Sequence, residues 1–160
     1  MTIRPVQPSE YEAAGELVVD AYRALRGGAE SSYDATLRDV ASRARSSEVL
    51  VAEDGERIVG CVTFVDALGA MSETDDPDAA SIRMLAVASE ARGRGIGEAL
   101  VRACIERARR AGRLRMRLHS EPSMSAAQRM YERIGFRRDP EHDWTPAPGV
   151  RLLGFVLEFA

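Results

Sequence analysis

The chain has 160 residues, 45% of them hydrophobic and 29% charged, which suits one globular domain with one core. Its net charge of -3 gives no bias toward nucleic acid, and no run of about 18 apolar residues offers a membrane span. All 22 basic residues are arginine, so chemistry needing a lysine from this chain, such as a Walker A phosphate loop or a pyridoxal Schiff base, is excluded.

Thr2 to Val6 reads as a short first strand. Ser9-Glu10-Tyr11-Glu12 has the form of a capping box opening a helix. Tyr11, Ala14, Val18, Ala21, Tyr22 and Leu25 then recur at helical spacing, and Gly27-Gly28 ends the run. A second helix is expected from Tyr33 to Ala44, with Tyr33, Leu37, Val40, Ala41 and Ala44 inward. Val49 to Glu53 and Ile58 to Val65 are β-branched runs around Asp54-Gly55-Glu56, a hairpin signal.

Leu68 to Ala80 carries Glu73, Asp75, Asp76, Pro77 and Asp78 and reads as an exposed loop. Ser81 to Val87 is the next strand. Gly95 to Ala111 follows as a long helix with Ile96, Ala99, Leu100, Ala103 and Ala108 on one face. Glu98, Arg102, Glu106 and Arg110 stand at steps of four on another face, and Gly112 stops the helix. Leu114 to His119 is a strand, and Ser125 to Ile134 a helix with Ala127, Met130, Tyr131 and Ile134 on one side. Gly135 is placed for a left-handed C-cap. Pro140 to Gly149 reads as a loop, and Leu152 to Phe159 as a last strand. The order is that of a single mixed α/β domain over residues 1–160. MTIRPVQPSE lacks the blocks of a signal peptide, and Cys61 and Cys104 sit apart in apolar stretches as buried free thiols would. A cytoplasmic home is therefore expected.

The chemistry concentrates at Arg92-Gly93-Arg94-Gly95-Ile96-Gly97, between a strand ending at Val87 and a long helix. Glycines let the backbone approach a ligand, and the free N–H groups of a first helical turn favour a phosphate. Arg92 and Arg94 add positive charge. A dinucleotide fingerprint starting at Gly93 would need glycine where the chain has Glu98.

Leu85-Ala86-Val87, the loop from Arg92 to Gly97 and Leu100 resemble motif A of the GNAT N-acetyltransferases, R/Q-x-x-G-x-G/A. Ala127, Tyr131, Gly135 and Phe136 are similar to that family's motif B, A-x-x-x-Y-x-x-x-G-F. The resemblance implies a GNAT-like α/β fold, with a central mixed, mostly antiparallel sheet flanked by about four helices. It also implies that backbone amides from Gly93 to Glu98 hold the pyrophosphate of acetyl-CoA. The strand end at Leu85, Ala86 and Val87 would splay open to receive pantetheine. Two departures stand out: Ser89 replaces a frequent proline, and Met124 replaces an asparagine that touches CoA in many members.

Acyl transfer to an amine needs a base for the ammonium proton, donors for the oxyanion and an acid for the departing thiolate. The resemblance makes Tyr131 the acid; on periodicity alone it is a core tyrosine. His119, twelve residues earlier, stands where some relatives that acetylate protein N-termini carry a carboxylate base, and Glu121 is a second candidate. The acidic loop Glu73 to Asp78 can draw a cationic amine, although such loops are commonly only solvated. Trp144 either walls the acceptor pocket or staples its loop to the core, the second being the more ordinary role. The arginines from Arg107 to Arg117 alternate with acids and lack aromatics, as a solvated face does, so no nucleic acid is expected. Two histidines and two distant cysteines give no metal-ligand spacing.

The expected activity is transfer of acetyl from acetyl-CoA to a primary amine of a small molecule or peptide. A non-catalytic acetyl-CoA sensor, or an enzyme for succinyl or longer acyl groups, uses the same loop. A homodimer is common among the proteins it resembles.

Overall fold

The structure, a computed structural model, describes residues 1–67 and 69–160. The strands are β1 (Thr2–Pro5), β2 (Glu48–Asp54), β3 (Arg57–Val65), β4 (Ala79–Val87), β5 (Arg115–Ser120), β6 (Arg137–Arg138), β7 (Trp144–Ala147) and β8 (Val150–Glu158). The helices are α1 (Tyr11–Leu25), α2 (Asp34–Arg38), α3 (Val40–Ser46), α4 (Ile96–Arg110) and α5 (Ser125–Ile134). The sheet order is β1-β2-β3-β4-β5-β8-β6, with β7 folded back on β8. Among the described residues only β4 and β5 run parallel; the other pairs are antiparallel.

One sheet face carries α1, α2 and α3 over Val49, Val51, Cys61, Met84 and Ala86. The other carries α4 and α5 over Leu50, Val62, Phe64, Ile82, Met116, Leu118 and Phe155. This two-face burial of an alternating sheet is what the period-2 runs demand. Burial also raises the Cys61 and Cys104 thiols to about 12, so both are protonated and inert at neutral pH.

The chain departs from the sequence expectations at five places. The helix expected from Tyr33 to Ala44 is broken at Asp39, whose φ of -83° and ψ of 68° leave the helical region. The Asp39 side chain accepts from the Ser42 N–H at 3.1 Å and so starts α3. Buried Arg43 ends α2 by donating to the Thr36 and Leu37 carbonyls at 2.7 and 2.9 Å. Among the described residues this makes five helices, in keeping with the about four expected around the sheet. The Ser9–Glu12 capping box does not form, because Pro8 already opens a 3-10 turn over Pro8–Glu10 and Ser9 lies inside it. Glu10 instead accepts the Gln7 N–H at 2.8 Å. The buried stripe of α4 is rotated from the expected one, adding Val101, Cys104 and Ile105 while Ala99 and Ala103 are only half-buried.

The remaining two departures involve loops. The Pro140–Gly149 segment holds a 3-10 turn at Pro140–His142 and the strand β7. Gly154 makes this possible, since a Cβ there would lie 2.8 Å from the Asp139 carbonyl oxygen. The acidic loop, whose expected start at Leu68 lies outside the described residues, is not simply exposed: Glu73 and Asp76 are half-buried.

Candidate functional site

Two strands and a helix end define the site. β4 and β5 pair only at Ala79–Arg115, Ala80–Met116 and Ser81–Arg117. Beyond Ser81 they separate, while β5 stays paired with β8 along Arg115–Ser120. The β5-facing edge of β4 from Ile82 to Val87 is thus without a strand partner among the described residues. A bulge accompanies the separation: Cys61 pairs with Ala86 but Thr63 with Arg83, so Met84 and Leu85 together oppose Val62. Met84 has φ +56°, left-handed for a residue that rarely adopts it. The bulge reverses the side-chain alternation. Ala80 and Ile82 face α4, then Leu85 and Val87 do, while Met84 and Ala86 turn toward α1.

The glycine loop follows β4 directly. Gly93 and Gly95 have φ of +77° and +79°, and a Cβ at either would meet nothing within 4 Å, so the space before α4 is open. The first helical bond runs from the Ala99 N–H to the Gly95 carbonyl at 3.0 Å. The N–H groups of Ile96, Gly97 and Glu98 are therefore left over at the positive end of a fifteen-residue helix. Such an end fits a phosphate ligand. The two arginines separate in role: Arg94 donates to Asp54 at 2.8 Å, whereas Arg92 is exposed and lines a hollow with Val87, Leu17 and Ala21. Glu98 lies 3.5 Å from Arg102.

Tyr131 stands on α5 with its ring against Phe136 and Phe155, centroids 5.7 and 6.1 Å away. Burial holds its phenol well above the ordinary tyrosine range, so it remains a proton donor at neutral pH. By packing it is a core tyrosine, and its phenol keeps its proton.

His119 projects from β5 with Arg115 and Arg117, opposite the buried Met116, Leu118 and Ser120. Its Nε2 lies 2.9 Å from the His142 carbonyl oxygen. A carbonyl only accepts, so in the neutral ring this nitrogen carries the proton and Nδ1 keeps the lone pair of a base. The His119 and Trp144 rings lie 5.8 Å apart. His119 and Tyr131 lie on opposite faces of the sheet at β5.

A cleft of about 370 Å³ covers the His119 side. Glu73, Thr74, Asp75, Arg117, His142 and Trp144 are among the residues lining it. Most charges here are already paired. Glu73 lies 3.2 Å from Arg83, and Asp76 accepts from Arg115 and Arg117 at 3.0 and 2.8 Å. Arg117 also reaches Asp139 at 2.6 Å. Trp144, 43% exposed, belongs to neither core cluster, so it walls the cleft rather than stapling a loop to the core.

Three residues of this region were not expected from the sequence as site residues. Tyr22 was legible only as an inward position of α1. Its phenol is raised far above the ordinary range by burial first, then by Tyr131, Tyr33, Glu121 and Glu73. Two phenols, Tyr11 and Tyr22, stand on this stripe, so the pattern alone did not single Tyr22 out. Arg83 donates to the Tyr33 hydroxyl at 3.0 Å and the Met71 carbonyl at 3.2 Å, tying the α1–α2 connection and the acidic loop to β4. Met84 is the third; four consecutive apolar residues from Met84 to Val87 interrupt the alternation of β4. Among the described residues no group of three or more His, Cys, Asp or Glu could hold a metal, and no helix is long and apolar enough to cross a membrane.

The sequence profile described as the acetyltransferase (GNAT) family matches residues 12–136. No curated protein matches the chain. Among solved structures, a ribosomal-protein-alanine N-acetyltransferase from Brucella melitensis is 21% identical over 99% of this chain and 100% of its own, with a TM-score of 0.74. An acetyltransferase of the GNAT family from Staphylococcus aureus Mu50 is 16% identical over 98% of both chains, with a TM-score of 0.78. The PaiA N-acetyltransferase from Thermoplasma acidophilum, in complex with coenzyme A, is 15% identical over 99% of this chain and 98% of its own, with a TM-score of 0.76. At these identities the likeness establishes a shared fold.

Proposed function

Since this chain belongs to the acetyltransferase (GNAT) family, we propose that it transfers acetyl from acetyl-CoA to a primary amine by direct attack within the gap between β4 and β5. The observation that carries this reading is the unpaired edge of β4 beyond Ser81, next to a helix end with free N–H groups. A pantetheine arm is an amide chain and needs a strand edge to bond; a pyrophosphate needs N–H donors one strand-end away. Leu85, Ala86 and Val87 supply the first, and Gly93 to Glu98 the second, with Arg92 free to pair with phosphate.

The chemistry follows from the charges. The amine arrives as an ammonium and gives one proton to His119 Nδ1, directly or through water, with the Glu121 carboxylate as the alternative base. The freed lone pair attacks the thioester carbonyl carbon. A C–N bond forms, the carbonyl electrons pass to oxygen, and their return breaks the C–S bond. The departing thiolate takes the Tyr131 proton, and the second proton, shed by the nitrogen as the amide forms, returns the buried phenol to its neutral form. The products are the N-acetylated amine, CoA thiol and one released proton.

Isothermal titration is expected to give acetyl-CoA binding with Kd of roughly micromolar order. Thiol release with amine acceptors then reads turnover. Absence of binding refutes the reading. Binding without thiol release across amine classes refutes catalysis and leaves an acetyl-CoA sensor.

A further inference from the structure

The cleft over β5 carries features that select among amines, an inference that rests on the acetyl-transfer reading. Its volume, about 370 Å³, lies at the small end of the range for small-molecule sites. Trp144 forms part of its wall while remaining 43% exposed, and Phe155 and the His119 ring also line it. An indole held open on a concave wall is a surface that a ligand covers.

The charge around the cleft is equally specific. Glu73 is held by Arg83, and Asp143 by Arg138 at 2.8 Å. Arg117, the arginine lining the cleft, is committed to Asp76 and Asp139. Asp75 is the lining carboxylate without an arginine partner among the described residues. One surplus carboxylate matches one ammonium. A neutralised Arg117 offers no grip on a substrate carboxylate.

We propose that the acceptor is a small primary monoamine carried on an aromatic ring, without a carboxylate, and that Trp144 is the residue that recognises the ring. The ring lies against Trp144, and the ammonium is drawn by Asp75 and delivered toward His119, which shares the Trp144 wall. Its acetylation yields the N-acetyl arylalkylamine, CoA thiol and one proton.

The test compares 2-phenylethylamine, n-hexylamine, spermidine and free phenylalanine as acceptors, with kcat/KM read from thiol release. The expected kcat/KM for 2-phenylethylamine exceeds that of each other amine by up to about tenfold, the size of one well-formed aromatic pair. Trp144→Ala should collapse the 2-phenylethylamine to n-hexylamine ratio to about one, acting through KM, while Trp144→Phe keeps most of it. Equal or better use of n-hexylamine, spermidine or phenylalanine by the native protein overturns the proposal and leaves acetyl transfer standing. A ratio unmoved by Trp144→Ala, in a variant that still binds acetyl-CoA, overturns it too. If Trp144→Ala does not fold, the acceptor order of the native protein and the Trp144→Phe ratio decide. No thiol release with any amine, despite acetyl-CoA binding, refutes the underlying reading and the proposal with it.

Discussion

Gly95 and Gly97 stand two residues apart at the mouth of α4, yet alanine is expected to move stability in opposite directions at the two positions. Gly95 has φ +79° and ψ 12°, and a Cβ there meets nothing within 4 Å. Its substitution cost is therefore purely conformational. A left-handed L-residue costs about 1–2 kcal/mol. Alanine returns about 0.4–1 kcal/mol by restricting the unfolded chain. The net loss, about 1 kcal/mol, lowers Tm by about 2–4 °C in a domain of this length. Gly97 is helical, and its Cβ would lie 3.6 Å from Val87 Cγ2 and 3.7 Å from Met130 Sδ, ordinary contact distances. Alanine there gains helix propensity of up to about 1 kcal/mol, so Tm should rise by about 2–4 °C. Differential scanning calorimetry of the native protein and both variants reads the two signs. Acetyl-CoA at about 100 times Kd should add about 2.7 kcal/mol to the native protein. Gly97→Ala should retain that gain. Gly95→Glu, which sets a carboxylate where phosphate is expected, should lose most of it. Shifts of the same sign in the two alanine variants, or an undiminished ligand effect in Gly95→Glu, would refute the reasoning.

Tyr131→Phe is expected to cut kcat by on the order of a hundredfold with acetyl-CoA affinity unchanged, measured by thiol release and calorimetry; an unchanged kcat would remove the acid role. Arg26 first, and then Arg23 and the Ser31 N–H, hold the Asp34 carboxyl down to about 2. The folded value lies below the unfolded one of about 3.9, so its contribution is present above about pH 4 and is lost as pH falls toward about 2. The Tm of the native protein should decline across that window, and Asp34→Asn should flatten the decline. Arg43→Met removes the two donors that close α2 and should cost about 2–3 kcal/mol, read as a lowered urea midpoint with unchanged slope.

The sequence made some of this site legible and hid the rest for physical reasons. The glycine loop and the long helix after it were visible because local chemistry fixes them, through left-handed glycines and a strong apolar period; Tyr131 stood out only through the family resemblance, since its spacing is that of a core residue. The break at Asp39 was hidden because Leu37, Val40 and Ala44 fit one helical stripe whether or not the helix is continuous. What breaks it is a buried Arg43 that prefers the carbonyls of α2, a tertiary event. Strand β7 was hidden because the prolines of the Pro140–Gly149 segment suggest a loop. Its register comes from β8, and the turn that leads into it lies over Gly154, where a Cβ would meet the Asp139 and His142 backbone. The pairing of Glu73 and Asp76 with Arg83, Arg115 and Arg117 likewise depends on which strands become neighbours.

Met84 shows why the opening belongs to the design of the fold and is no accident of strand length. Its left-handed backbone costs about 1–3 kcal/mol, and such strain persists only where the surroundings over-determine it. Without the extra residue, β4 would continue the alternation of Ala80 and Ile82, turning Met84 and Ala86 toward α4 and Leu85 and Val87 toward α1. The strand would also present a regular edge to β5, and regular edges pair. The bulge changes both at once. It brings Leu85 and Val87 under the start of α4, and it twists the edge away from β5 just past the last pair at Ser81–Arg117. Strain, reversed alternation and strand separation thus coincide within seven residues, Ser81 to Val87, and lead straight into the glycine loop. A domain needing only a stable sheet would have no use for the strained residue; the acetyl-CoA reading proposed above, in which strand hydrogen bonds stay free for an incoming amide chain, gives it one.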